Sequence, residues 1–321
     1  MTRLSRYRPV LSIVVRYLLG AALVYWFYSS KMIDFAVLGT LHLQVAVVAT
    51  ALVVLQLFLA GWRVQLLLAE HKIVVGILRC VSFNSVGIFY SIFLPGGMSG
   101  DLARAYCFWR KYPEASKSSL FGALFIDRLL GTVAMLFMGL IGGSFLVHTL
   151  GLSKFVLISW VIFTAFCLVY WGVTRLHHRV DKARGGAVAR LFRFVEKIDV
   201  QGYGWRTLIL GSVLSLAGHF CAVLIIFLFS QLVGSGLGLL KITAVAPLGL
   251  LANALPLTPG GLGIGEKGFE LLYNAVGGQN GGNSFLLSRV FLFAPALLGV
   301  GVLIHQFVRA HRFLISGFKK A

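Results

Sequence analysis

Acidic side chains are scarce in this 321-residue chain: ten Asp and Glu stand against 29 Lys and Arg, a formal charge of +19. Charge of either sign is thin, at 12% of residues, where a soluble domain carries about 25%. The four cysteines, Cys80, Cys107, Cys167 and Cys221, show no C-x-x-C and no paired spacing. That argues against a disulfide framework or a thiolate metal site. The eight histidines form no H-E-x-x-H and no tight cluster with Cys or Asp, so no metal or other cofactor is expected. No Ser-His-Asp or Cys-His arrangement stands out in the spacing, and no catalytic residue is assigned. Proline is also rare, yet two of the seven open a Pro-Gly-Gly step.

What remains is apolar. Hydrophobic residues make up 58% of the chain, against about 45–50% in soluble domains. Several runs reach the roughly 20 residues that cross about 30 Å of hydrocarbon. The pattern predicts an all-α polytopic membrane protein with six transmembrane helices, near 10–28, 43–62, 119–147, 154–173, 207–233 and 284–308. Two further apolar stretches, 74–94 and 242–257, each run into Pro-Gly-Gly and then a short amphipathic helix, near 101–111 and 266–276. Such breaks are tolerated at membrane depth only where the backbone is buried in protein or lines a cavity. Both units therefore read as re-entrant broken helices. The basic lead Arg3, Arg6, Arg8 and the apolar run behind it resemble a signal peptide, but no A-x-A-like site follows. The cluster Tyr25-Trp26-Phe27-Tyr28 instead closes an uncleaved span as an interfacial belt.

The positive excess fits membrane topology better than nucleic-acid binding, which is not expected. With the N-terminus inside, most basic residues, Arg63, Lys72, Arg79 and Arg104 among them, fall on cytoplasmic segments, and only Lys31, Lys154 and Lys241 fall outside. Both termini are then cytoplasmic, in what would be a bacterial or archaeal cytoplasmic membrane. Laying Pro95-Gly96-Gly97 on Pro259-Gly260-Gly261 also lays span 43–62 on 207–226 and 119–147 on 283–311. Two inverted repeats follow: residues 1–150 with a break at 94–101, and residues 151–321 with a break at 256–266. The competing reading is chance recurrence of Pro-Gly steps. In the basic loop 174–206, Val188, Leu191, Phe192, Val195 and Ile198 keep helical spacing. This suits an amphipathic helix on anionic inner-leaflet headgroups; a solvated loop is the alternative.

Each break is followed by a glycine-rich turn and an acid, "PGGMSGD" ending at Asp101 and "PGGLGIGE" ending at Glu266. Gly96, Gly97, Gly260 and Gly261 let backbone amides approach a ligand, and the next helix start offers unpaired N–H groups. Alternatively Ser99, Asp101 and Glu266 only cap their own helices. "ALFIDRLLGTV" places Asp127 and Arg128 inside a span, Arg289 lies in the matching last span, and Glu266, Lys267 and Glu270 lie on the second broken unit. A charge at a helix centre costs roughly 2.5–3.5 kcal/mol on insertion scales, so it usually faces a cavity or a partner. Arg104, Arg128 and Arg289 are the expected binders of an anionic headgroup, since guanidinium suits bidentate phosphate contact. Asp101, Asp127, Glu266 and Glu270 are the cavity acids expected to hold them. A purely structural ion-pair network locking the repeats is the rival reading. "GIGEKG" matches G-x-G-x-x-G without the strand that a dinucleotide site needs, and Gly139 with Gly143 suggests close helix packing.

"LPGGMSGDLAR", "FIDRLLG" and "LTPGGLGIGEKGFELLY" resemble the membrane domain of the lysylphosphatidylglycerol synthase/flippase family, which includes stand-alone members linked to polyprenyl-phosphate sugar translocation. The second Pro-Gly-Gly motif is the stronger match, and Ser99 stands where Gly is expected in the first. The resemblance implies that an amphipathic lipid crosses between leaflets with its headgroup in a protein cavity. It points to Pro95, Gly96, Gly97, Asp101, Arg104, Asp127, Arg128, Pro259, Gly260, Gly261 and Glu266. Bifunctional members carry a soluble aminoacyl-transferase domain after the membrane part; with the sequence stopping at Ala321, that domain is expected to be absent. The function expected is therefore a flippase for an anionic phospholipid or a polyprenyl-phosphate-linked sugar, with a membrane lipid as substrate and room for a homo-oligomer. A membrane-embedded headgroup transferase and a non-catalytic membrane scaffold are the alternatives.

Overall fold

Apolar runs this long satisfy their backbone internally in lipid only as helices, and helices are what forms. The computed structural model describes residues 41–93, 99–150, 203–254 and 258–305, with Tyr25, Ser29, Gly39, Trp160 and Thr164 besides. Apart from such single positions, the expected spans 10–28 and 154–173 lie outside the described residues, as do the first Pro-Gly-Gly step and most of the loop 174–206.

α1 (Leu43–Glu70) and α5 (Trp205–Leu232) have 28 residues each, about 42 Å at 1.5 Å per residue. α4 (Lys117–Leu150) is longer. α8 (Gly281–Phe293) halts at Ala294, because Pro295 has no N–H and crowds the carbonyl one turn back, and the helix then resumes over 295–305. Four stretches are thus long and apolar enough to cross a membrane: Leu43–Glu70, Lys117–Ser144, Trp205–Leu232 and Gly281–His305. The other four helices are too short to cross alone, at about 18–26 Å: α2 (Ile77–Phe93), α3 (Ser99–Lys111), α6 (Leu239–Asn253) and α7 (Ile264–Ala275). Among the described residues the element order reads long, short, short, long, twice over, with no strand.

One boundary differs from expectation. α1 does not end near residue 62, because Val64, Leu67 and Leu68 continue its buried face. It closes at His71, where Lys72 takes a left-handed φ of 60°, and the Lys72 and Ile73 amides bond back to Ala69 O and Leu68 O. Gly234 closes α5 in the same way. Arg63 is therefore two turns inside α1 and does not lie on the segment that follows it.

α1 and α5 pack antiparallel. At one end His71 Nε2 lies 2.8 Å from Tyr203 OH, and Thr207 Oγ1 donates to Glu70. At the other, Leu41 and Val45 share a cluster with Leu232 and Val233. The first end also holds the Arg79 Nη1 bond to Tyr112 OH. The second holds Gln279 N on Ser235 O and Lys241 Nζ on Val276 O. One buried core joins α1, α2, α3 and the start of α4, and another joins α5 to α8. The long helices cross the short ones at glycines: a Cβ on Gly142 would lie 2.6 Å from Ala244 Cα, and one on Gly299 would lie 2.4 Å from Ser85 O. Gly139 also faces α6, at Pro247, and so joins Gly142 at that crossing.

Candidate functional site

Breaking an apolar helix where it is buried leaves carbonyls without amide partners, and each must be satisfied locally. The second break does this with an arginine. Pro259–Gly261 forms a single 3-10 turn in which Gly260 and Gly261 adopt φ of 58° and 71°, a conformation that L side chains disfavour. From α8, Arg289 Nη1 donates to Gly260 O at 2.5 Å, and its Nη2 donates to Gly261 O at 3.2 Å and Asn253 Oδ1 at 2.9 Å. Arg289 Nε lies 2.7 Å from Glu266 Oε1, and Nη2 lies 3.0 Å from Oε2. Its guanidinium also sits over the rings of Phe285 and Phe293. Glu266 does two jobs, because its Oε2 also accepts from Gly263 N at 2.8 Å and caps α7. Arg289 and Glu266 are both buried.

The charges on α1 to α4 are built differently. Asp127 of α4 is buried between two guanidiniums: Arg63 Nε donates to its Oδ1 at 2.6 Å, and Arg104 Nη1 donates to its Oδ2 at 2.8 Å. Arg63 Nη1 also reaches Ser215 Oγ of α5 at 2.7 Å, and Arg104 Nη1 reaches Asn84 Oδ1 of α2 at 3.0 Å. Asp101 receives Arg104 Nη2 at 3.2 Å and, on both oxygens, Arg128 Nε at 2.8 Å. A chain of charges thus runs Arg63, Asp127, Arg104, Asp101, Arg128. Only its last member is open: the Arg128 side chain is 58% exposed, against 2% for Asp127. Arg104 keeps a buried Nε–H without a partner, at a cost of about 1–3 kcal/mol that a ligand oxygen would offset.

Both networks border one cavity of about 480 Å³, lined by Arg63, Asp101, Arg104, Asp127, Arg128 and Arg289, by Gly260 and Gly261 of the second break, and by apolar residues of α1, α2, α6 and α8. The second break touches α2 just before the first, since Gly260 packs beside Ile92. Among the described residues of these networks, four guanidiniums meet three carboxylates. One positive charge is left over in a low-dielectric surrounding. No three His, Cys, Asp or Glu side chains gather as metal ligands among the described residues.

Of the expected site residues, Arg104, Arg128, Arg289, Asp101, Asp127, Gly260 and Gly261 border this cavity, and Glu266 stands behind it on Arg289. Gly96 and Gly97 lie outside the described residues. Glu270 is not among the residues that line this cavity: its Oε2 accepts from Gly282 N in the first turn of α8 at 2.9 Å and caps that helix. Arg63, Asn84, Ser215 and Asn253 were not among the expected site residues. The signal for Arg63 was present in the apolar "VQLLLA" that follows it, which carries the helix past the charge.

The family profile of the lysylphosphatidylglycerol synthase TM region matches residues 13–300. The chain belongs to this family. No curated protein and no solved structure matches it. As a member of the lysylphosphatidylglycerol synthase TM family with four long apolar helices, it is an integral membrane protein of a lipid-handling kind.

Proposed function

We propose that the protein is a flippase that moves an anionic phospholipid or a polyprenyl-phosphate-linked sugar between leaflets. The observation that carries this reading is the exposed guanidinium of Arg128, in a cavity bordered by networks whose described charges, Glu266 included, leave one positive unit uncompensated. A headgroup phosphate competes with Asp101 for Arg128 and offers an acceptor to Arg104, while the tail stays in lipid. Arg289 and Glu266 hold the second break in shape, and Arg63 with Asp127 ties α4 to α1 and, through Ser215, to α5.

Two inverted repeats, 1–150 and 151–321, are the mechanical basis of the reading. Antiparallel α1 and α5, the repeated element order and the matched glycine crossings support it. Broken helices meeting between such repeats suit alternating access by rocking. Charge supports the orientation: Lys72, Arg79, Arg110, Lys111, Lys117 and Arg206 cluster at the end bearing Glu70, while Lys241 lies at the other. The first end is then cytoplasmic.

Reconstitution into vesicles carrying headgroup-labelled fluorescent lipids tests the function. Protein-dependent exchange of an anionic lipid, lost in Arg128→Gln, is the expected result. No exchange for any anionic phospholipid or polyprenyl phosphate in a broad panel overturns it.

A further inference from the structure

A second and larger hollow lies on the other side of α2 from the central cavity. Asn84 and Gly87 of α2 face the cavity, whereas Leu78, Val81, Ser82 and Ser85 line a groove of about 1450 Å³ between α2, α3 and the 295–305 helix. Ordinary small-molecule pockets hold about 300–1,000 Å³. The groove has one charged end. Arg79, Arg110 and Lys111 line it together, and among the described residues no acid does. The rest of its wall is mostly apolar, with Ser82, Ser85 and His305 interspersed and Leu297 and Leu298 strongly exposed.

The three cations do not have one explanation. Arg110 and Lys111 sit in the last turn of α3, where the helix dipole favours a cation. Arg79 sits in the first turn of α2, where the same dipole opposes it and no acid compensates. Its Nη1 donates to Tyr112 OH at 2.8 Å, which anchors the guanidinium at the rim and uses one of its five N–H donors. A soluble anion would have no use for the apolar wall, and an uncharged lipid none for the cations.

We propose that this groove seats an anionic glycerophospholipid, with its phosphate at Arg79, Arg110 and Lys111 and its acyl chains along Leu78, Val81, Leu298 and Val302. The site is separated from the central cavity by the thickness of α2 and α3, and it holds a lipid whether or not the protein flips one.

Native mass spectrometry of the full chain in mild detergent, titrated with dioleoyl-phosphatidylglycerol or dioleoyl-phosphatidylcholine, tests it. The expected result is at least a tenfold preference for the anionic lipid, abolished in the triple variant Arg79→Gln, Arg110→Gln, Lys111→Gln. Equal affinity for the two lipids, or undiminished phosphatidylglycerol binding by the triple variant, overturns it. Val302→Trp fills the apolar wall without touching a charge and should displace the lipid by itself, which keeps the test open if the triple variant folds poorly. Photoactivatable phosphatidylglycerol with a tail diazirine should label Leu298 or Val302. Labelling confined to 174–206, or groove residues found cross-linked to a second copy of the chain instead of lipid, also overturns the proposal. Binding is read here without transport, so a failure of flipping leaves the result standing.

Discussion

Arg63 and Asp127 stand 64 positions apart and meet at 2.6 Å, Nε to Oδ1, with the carboxylate buried. Asp127 is shared with Arg104, so its removal strands Arg63 and leaves Arg104 with Asp101 alone. Breaking a buried pair by deleting one partner costs about 3–5 kcal/mol. Asp127→Ala should lower unfolding stability in mild detergent by that order. The double variant Arg63→Gln, Asp127→Ala should lose less than the sum of the single losses, because the second change removes a charge already orphaned. Strict additivity in a denaturation series would show that the pair is not coupled.

The order of the described helices and the second break are legible in the sequence because they rest on local properties: apolar run length, Pro-Gly-Gly, and an acid after the turn. The partnerships are not. Nothing in "GWRVQLLLAE" names Asp127 as the partner of Arg63, which depends on how α1 crosses α4. Glu270 and Glu266 lie one turn apart on α7 and look alike in sequence; one caps α8 and the other grips Arg289. Capping and ion pairing were framed as rivals for Glu266, yet a carboxylate with two oxygens does both.

Arg128 should separate transport from stability. Its pairing with Asp101 is largely exposed, and exposed pairs contribute about 0–1 kcal/mol. Arg128→Gln should therefore shift unfolding by less than about 1 kcal/mol while slowing anionic-lipid exchange at least tenfold. An unfolding shift as large as that of Asp127→Ala, with exchange per folded molecule unchanged, would make Arg128 a structural residue.

Gly261 and Gly277 both have positive φ, 71° and 77°, but differ in surroundings. A Cβ on Gly261 would lie 2.2 Å from Asn253 O, whereas one on Gly277 meets nothing within 4 Å. Gly277→Ala should cost only the backbone strain, about 1 kcal/mol. Gly261→Ala adds a clash that displaces Asn253 from Arg289, and should cost at least about 2 kcal/mol more. Comparison of the two alanine variants by thermal unfolding isolates the clash, since the strain is common to both. Equal losses would mean that the turn relaxes freely and that Arg289 does not depend on it.

The proposed opposed orientation of two repeats predicts where water-borne reagents reach. Glu114, in the α3–α4 loop, and Gln279, in the α7–α8 loop, are both exposed. They occupy equivalent places in the proposed repeats, but Glu114 belongs to the basic end with Arg79 and Tyr112, and Gln279 to the end with Ser235. In a chain freed of Cys80, Cys107, Cys167 and Cys221, a cysteine at 279 should react with an impermeant maleimide added to intact cells. A cysteine at 114 should react only after permeabilisation. A dual-topology protein would label at both positions from outside, each to part of its amount. Full labelling of both from one side would mean parallel repeats, leaving the rocking mechanism without its symmetry while the charged cavity would still need another explanation.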